Sequence, residues 1–135
     1  MLNLKIITPQ KEVLTREVER VTCQTTEGEI TILPRHVALL TILTNGVIKV
    51  KSKEGTEYFS AGAGYVETDG REVRILISRA QGQTELDEKK VLEVVAEAKK
   101  LLAQERSAVD RRNAFAMLQR ATIDLKVIKK FKRTS

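Results

Sequence analysis

Side chains that commonly perform nucleophilic or acid–base chemistry are scarce in this sequence, which has one histidine and one cysteine. Nucleophilic catalysis needs an activating base beside the nucleophile, and a catalytic metal site needs a cluster of ligands. Neither pattern is present, and no recognisable motif places a pair of carboxylates for acid–base catalysis. We therefore predict a protein without catalytic activity and without a metal site. Cys23 lies in an alternating run, where a small buried core residue is expected.

The segment Ala61-Gly62-Ala63-Gly64-Tyr65 has the glycine content of a phosphate-binding loop. A nucleotide-binding loop continues into a helix and carries a Lys-Ser/Thr pair or a third glycine, and this segment has neither. Close packing of the backbone inside a β-structure is the better explanation for these glycines.

Basic side chains are concentrated in the last third of the chain. Residues 85–135 hold 13 Lys/Arg against 8 Asp/Glu, whereas residues 1–84 hold 11 against 10. The cations could form a solvated helix face, bind nucleic acid, or dock on an acidic protein surface. Nucleic-acid binding is disfavoured because Phe115 and Phe131 are too few and too far apart to stack bases. A solvated helix face and docking on an acidic protein surface both stay open from the residues alone.

The first 80 residues have the pattern of short strands. Apolar and polar residues alternate over residues 2–6, 47–51 and 73–77. Turn signals such as Asn45-Gly46 and Asp69-Gly70 recur at intervals of roughly 8–12 residues, which is typical of a β-sandwich or barrel. Pro34-Arg35-His36 interrupts two apolar runs and predicts a fixed corner between two buried strands.

The apolar period changes after the polar linker Gln81-Gly82-Gln83. Helix-start patterns of the [ST]-x-x-[DE] type begin at Thr84 and at Ser107, and each precedes apolar residues at helical spacing. The sequence therefore predicts an α+β fold, in which an N-terminal β-sandwich of about ten short strands is followed by a C-terminal antiparallel two-helix hairpin. The predicted domains are residues 1–82 and 83–135. The apolar stripe of the hairpin is thin and rich in alanine, so we expect it to be marginally stable alone.

The sequence has no run of the ~20 apolar residues that a membrane-spanning helix requires. The N-terminus also lacks the charged and hydrophobic regions of a signal peptide. We therefore expect a soluble chain that is not exported and that reaches a membrane only through a partner.

The order of residues 27–43 resembles the epsilon subunit of the rotary F-type ATP synthase. That family has an E-G-x-x-G-I-L-P-G-H-x-P-L-x-T-like run at this distance from the N-terminus. Thr31 and Arg35 stand where the family usually has glycine, and Ala38 stands where proline is usual. The resemblance continues through residues 62–67 and 73–80 and covers essentially the whole chain. The matching positions in the first run are Glu27, Gly28, Ile32, Leu33, Pro34, His36, Leu39 and Thr41.

This resemblance implies a noncatalytic rotor subunit in the central stalk, which couples proton translocation to ATP synthesis. Its hairpin would switch between a folded and an extended state and inhibit ATP hydrolysis. The implied partners are the gamma subunit, the c ring and the alpha/beta catalytic hexamer, with no nucleic acid. The chain would lie peripherally at the cytoplasmic face of the cell membrane as part of the complex. The alternative is a basic nucleic-acid-binding adaptor with a β-sandwich and a helical hairpin.

The resemblance also implies two protein-contact surfaces. One would dock on the stalk and the membrane ring, and the other would contact the catalytic subunits through basic residues. The docking residues would be Leu33, Pro34, Arg35, His36 and Thr41, and the catalytic-subunit contacts would be Arg111, Arg112, Arg120, Lys126, Lys129 and Lys130.

Epsilon subunits that bind ATP carry an I/L-D-x-x-R-A motif at the start of the first C-terminal helix. Leu86 and Asp87 match this motif, whereas Lys90 replaces the arginine and Val91 replaces the alanine. An aspartate in the first turn can accept from adenine or cap the helix, and a cation one turn later can meet phosphate. No cofactor is required by this interpretation. A regulatory ATP is possible and would be bound by Asp87, Lys90, Arg112 and Arg120.

Overall fold

A computed structural model, which describes residues 1–104 and 107–134, has ten strands followed by a short 3₁₀ turn and two helices. The strands are β1 (Leu2–Ile7), β2 (Glu12–Val18), β3 (Arg20–Thr25), β4 (Gly28–Ile32), β5 (Leu39–Leu43), β6 (Gly46–Ser52), β7 (Gly55–Ala61), β8 (Gly64–Thr68), β9 (Glu72–Ile77) and β10 (Ala80–Gly82). The 3₁₀ turn spans Gln83–Glu85, and the helices are α1 (Glu88–Ala103) and α2 (Ala108–Thr134).

The strands form one hydrogen-bonded path that bends back on itself. Its order is β10-β7-β6-β3-β5-β8-β9-β1-β2, with β4 paired to β3. Strand β2 lies against β6, and Arg16 of β2 forms an ion pair with Glu57 of β7. The two halves of the path therefore face each other, which confirms the predicted sandwich of about ten strands.

The core lies between the two halves of the sandwich and consists mainly of aliphatic side chains. Alternate residues of each strand point inward, as the period of two requires. The inward set includes Leu4 of β1, Ile75 of β9 and Val50 of β6, each at most 1% exposed. Cys23 belongs to the same core, as predicted. Burial of side chains of this size stabilises the fold by about 1.5–3 kcal/mol each.

The glycines near β8 lie in close packing, as the sequence predicted, and at Gly64 the neighbouring atoms are backbone. A Cβ atom at Gly64 would lie 1.9 Å from the carbonyl oxygen of Leu76 on β9. A Cβ atom at Gly62 would lie 2.1 Å from Oγ of Ser78. This segment is therefore part of the sandwich and continues into a strand.

The first helix begins later than the sequence predicted. Thr84 lies in the 3₁₀ turn, and α1 begins at Glu88. The prediction of a helix start at Thr84 is wrong because Asp87 is the N-cap residue. Its Oδ1 accepts hydrogen bonds from the backbone N–H of Lys89 at 3.0 Å and of Lys90 at 3.4 Å.

The second predicted start is confirmed. The backbone N–H of Asp110 donates to Oγ of Ser107 at 3.2 Å, and α2 follows directly. With its 27 residues, α2 is about 40 Å long.

The helices pack as an antiparallel pair, as predicted. Val91 of α1 packs with Ala121 and Ile128 of α2. Lys132 at the end of α2 pairs with Glu88 at the start of α1. Helix α2 also has a second buried face that the sequence analysis missed. It packs on the sandwich, mainly on β7, and comprises Ile123, Asp124 and Val127.

Candidate functional site

The corner between β4 and β5 is a tight turn held by the neighbouring hairpin. His36 N–H donates to the carbonyl of Leu33 at 3.1 Å, and Arg35 N–H donates to the carbonyl of Gly70 at 2.9 Å. Arg35 has φ of +66°, a left-handed conformation that glycine adopts without strain. A Cβ atom at Gly70 would lie 2.8 Å from the carbonyl oxygen of His36. The corner is therefore a rigid feature built on the β8–β9 turn.

Four of the five predicted docking residues lie at this corner. Leu33, Pro34 and Arg35 are exposed, and His36 is half-buried with Nδ1 donating to the carbonyl of Val37 at 2.7 Å. Thr41, the fifth, is half-buried further along β5. It stands on the inward side of the strand, opposite the buried Val66 of β8, so the structure does not bring it to the corner.

An exposed apolar surface adjoins the corner. Val37, Leu40 and Ile42 are 80%, 67% and 63% exposed, and Ile42 is paired in register with the exposed Tyr65 of β8. We call these four residues the β5 strip. The expectation that the strand after the corner is buried is therefore wrong for its outer face. Large exposed apolar patches mark interaction surfaces in proteins.

A buried polar cluster joins α2 to the sandwich. Asp124 of α2 accepts a hydrogen bond from Oγ of Ser60 on β7, and Nη1 of Arg79 lies 3.4 Å from its Oδ1. Burial lowers the pKa of the Arg79 guanidinium, and the charge of Asp124 opposes that shift. The cluster fixes where α2 lies on β7.

A hollow of about 390 Å³ lies between the start of α1 and the middle of α2. It contains three of the four residues predicted to bind ATP, namely Asp87, Lys90 and Arg120. Arg112, the fourth, is exposed and does not line the hollow. The carboxylate of Asp87 is engaged as the cap of α1. The apolar lining consists of Leu86, Val91, Val94, Met117 and Ala121.

The basic residues predicted to contact catalytic subunits are divided among different faces of α2. Lys126 and Lys130 line a cleft against the sandwich, and Nζ of Lys130 lies 5.9 Å from the ring centroid of Tyr58. Arg111 donates to the carbonyl of Leu102 at 2.9 Å. Arg112 and Lys129 are exposed. Arg120 lines the hollow described above.

The single cysteine is removed from solvent. Burial raises the pKa of the Cys23 thiol to about 12, and the nearby charge of Glu29 acts in the same direction. Among residues 1–104 and 107–134, no three potential metal ligands lie close enough together to hold an ion. Neither helix in this part of the chain is long and apolar enough to cross a membrane.

Comparisons with known proteins agree with this architecture. The profile described as the beta-sandwich domain of the ATP synthase delta/epsilon chain matches residues 1–83. The chain belongs to this family. Epsilon chains of ATP synthase from Staphylococcus aureus strains JH9 and Newman are 35% identical over 127 residues, covering 93% of this chain and 95% of the relatives. Family membership makes the chain a subunit of the ATP synthase complex.

Solved structures with a similar fold come from two mitochondrial synthases. A chain in the Euglena gracilis OSCP/F1/c-ring assembly has a TM-score of 0.69 and 21% identity, covering 98% of this chain and 79% of that chain. A chain in the Tetrahymena thermophila central stalk/c-ring structure has a TM-score of 0.63 and 20% identity, covering 94% and 96%. These two chains share the fold of both the sandwich and the helices.

Proposed function

We propose that this chain is a noncatalytic rotor subunit of an F-type ATP synthase. The sandwich couples rotation of the central stalk to proton translocation during ATP synthesis, and the hairpin regulates ATP hydrolysis. The observation that carries the proposal is the exposed β5 strip beside the rigid corner, in a chain that resembles epsilon chains over nearly its whole length. Membership of the delta/epsilon family disfavours the nucleic-acid-binding adaptor, which no feature of residues 1–104 and 107–134 supports.

The sandwich presents two adjoining surfaces to the stalk and the membrane ring. We assign the β5 strip to the gamma subunit because a stable protein interface has an apolar, well-packed centre. The corner carries Arg35 and His36 on a fixed turn, and we assign it to the polar loops of the c ring. In this assignment the docking residues on β5 are Leu40 and Ile42 instead of Thr41, which lies on the other side of the strand.

The β5 strip can be tested by changing one residue in the full chain. Ile42→Glu is expected to weaken binding to purified gamma subunit at least roughly tenfold, because a charge would be buried at the interface centre. Phe115→Glu is the matched control, since Phe115 is also exposed and lies on α2. Equal binding by Ile42→Glu and the unchanged chain would contradict the assignment.

The hairpin is suited to a switch because little apolar surface holds it together. Three small or aliphatic residues, Val91, Ala121 and Ile128, form its buried cluster. A switch needs two packings that differ by only a few kcal/mol. In the extended state the basic residues of α2 would meet an acidic segment of the catalytic beta subunits and block hydrolysis. Those residues are Arg111, Arg112, Arg120, Lys126, Lys129 and Lys130.

The decisive experiment measures ATP hydrolysis by an epsilon-depleted synthase after the full chain or residues 1–84 are added back. Suppression by the full chain alone is expected if the hairpin inhibits. Equal rates with both, when both bind, would make the inhibitory role wrong and leave the sandwich as a coupling element.

Regulatory ATP is a further part of the proposal. The hollow joins an apolar lining to Lys90 and Arg120, so that a base could pack while phosphates meet the cations. The carboxylates of Glu85, Asp87 and Asp124 also line the hollow and oppose an anion there. Lysine lacks the planar fork of arginine, which predicts weak affinity. Calorimetry with millimolar ATP should show heat that Arg120→Gln removes and Arg112→Gln leaves unchanged. If ATP produces no heat, the proposal that the hollow binds regulatory ATP is wrong.

The proposed location is the cytoplasmic face of the cell membrane, where the chain is held through the complex. Fractionation should find it with membranes that contain the synthase. In cells lacking the gamma subunit it should be released. Retention on those membranes would contradict attachment through the complex.

A further inference from the structure

A second cavity, of about 810 Å³, lies between α2 and the outer face of the sandwich. Its floor is a row of residues that are paired in register across four strands. Thr31 of β4 pairs with Thr22 of β3, Thr22 pairs with Lys49 of β6, and Lys49 pairs with Tyr58 of β7. Directly opposed residues share one face of a sheet, so these side chains form a polar strip beneath the helix.

One face of α2 forms the wall of this cleft. Ile123, Lys126 and Lys130 are spaced three and four residues apart, which places them on the same side of the helix. Lys130 is positioned over Tyr58, and Ile123 is buried. The cleft therefore exists only while α2 is docked on the sandwich.

Positive charge dominates the lining of the cleft. Arg20 and Lys49 come from the sandwich, and Lys126 and Lys130 come from α2. Among the described residues, the lining contains one carboxylate, that of Glu29, which accepts a hydrogen bond from Nε2 of Gln24 at 3.0 Å. Within the described chain, Arg20, Lys49 and Lys126 take part in none of the ion pairs. Docking of α2 thus brings like charges together, and an anion between them would relieve their repulsion.

We infer that this cleft binds an oligophosphate chain of pyrophosphate or triphosphate size. Three of the four cations are lysines, each of which can meet phosphate oxygens as a point charge without the bidentate fork of arginine. Thr22 and Thr31, whose hydroxyls are hydrogen-bonded to each other at 3.0 Å, and the amide of Asn45 add polar groups to the lining. The volume falls in the range of small-molecule sites. The site is separate from the hollow beside Asp87, because the two share no lining residue.

An anion bound here would join the sandwich to α2 and so stabilise the docked hairpin by mass action. It would also occupy Lys126 and Lys130, so these residues could not contact an acidic partner at the same time. This second consequence depends on the proposed function, whereas binding itself does not.

The test is calorimetric titration of the full chain with sodium tripolyphosphate at physiological ionic strength. One saturable site is expected. Lys49→Gln and Lys126→Gln should each weaken binding roughly tenfold, because each removes one charge-assisted contact. Lys53→Gln is the matched control on the β6–β7 turn, and it should bind as the unchanged chain does.

Titrations with ATP and with a polyglutamate peptide identify the source and class of the ligand. Binding of ATP that is weakened in Lys49→Gln and unchanged in Lys53→Gln would show that a nucleotide can carry the phosphate chain. Binding of tripolyphosphate without ATP would indicate inorganic oligophosphate. The inference is overturned if tripolyphosphate does not bind, if Lys53→Gln weakens it as much as Lys49→Gln, or if a polyglutamate peptide binds more tightly.

Discussion

Nη1 of Arg79 lies 3.4 Å from Oδ1 of Asp124, and this ion pair joins the end of the sandwich to the middle of α2. Both side chains are largely buried, and Ser60 donates a further hydrogen bond to the same carboxylate oxygen. A buried pair of this kind specifies position more than it adds stability, because desolvation offsets much of the attraction. Here it selects one docked position of a helix whose apolar contacts are few.

Asp124→Ala is expected to release α2 from the sandwich. The change leaves Arg79 charged and unpaired in a buried position, with an expected loss of docking stability of about 3 kcal/mol. Hydrogen exchange of α2 amides should become markedly faster. Asp124→Asn, which keeps an acceptor for Ser60, should lose less, and Asp110→Ala serves as an exposed control. Unchanged exchange in Asp124→Ala would contradict the role of the pair.

Arg35→Gly is expected to stabilise the sandwich. Arg35 has φ of +66°, where a side chain is strained and glycine is not. We expect the free energy of unfolding to rise by about 0.5–1 kcal/mol, measured by urea denaturation. Arg35→Ala keeps the strain and should show no such gain. A comparable rise in the free energy of unfolding of the alanine variant would show that the loss of the Arg35 charge, and not relief of backbone strain, is the cause.

Gly64→Ala is expected to destabilise the pairing of β8 with β9. Its Cβ would lie 1.9 Å from a backbone oxygen, which cannot move without separating the strands. Thermal unfolding should show a loss of about 2 kcal/mol or more. Gly82→Ala is the control, because its Cβ would lie 3.5 Å from the Phe59 ring, an ordinary contact. Equal melting temperatures for the two variants would refute the packing argument.

The Cys23 thiol is expected to be unreactive in the folded protein at pH 8. Its pKa is raised from 9.0 to about 12, so almost no thiolate forms. Because the folded pKa lies above the unfolded value, this contribution to stability is fully present below pH 9.0 and is lost as the pH rises toward 12. Dithionitrobenzoate should react rapidly only in denaturant. Rapid labelling of the folded chain would show that the thiol is accessible.

The sandwich could be predicted because the alternation of apolar and polar residues and the turn signals both indicate short strands along most of its length. The exposure of the outer face of β5 could not be predicted, because the strand has apolar residues on both faces and shows no alternation of apolar and polar residues. These residues are Leu39, Leu40, Ile42 and Leu43. Only pairing with β8 shows which of them face solvent.

The second buried face of α2 was not predicted because it contains a charged residue. Asp124 stands between Ile123 and Val127 on that face, and an isolated carboxylate ordinarily indicates solvent exposure. Ser60 and Arg79, which satisfy it, are distant in sequence. The candidate ATP residues Asp87 and Lys90 were predicted from a local motif, and they lie together. Whether Arg112 lies beside them depends on how α2 is rotated about its axis, which the motif does not specify.

The parallel pairing of β1 with β9 also affects how the protein folds. Asn3 is paired with Glu72 and Ile7 with Leu76, whereas the other strand pairs of the sheet are antiparallel. The N-terminal strand therefore has no partner on that edge until about seventy further residues are available. During synthesis the sandwich cannot close before β9 has left the ribosome, and the helices, which follow it, come last. The helical hairpin is thus added to a sandwich that has already been able to close.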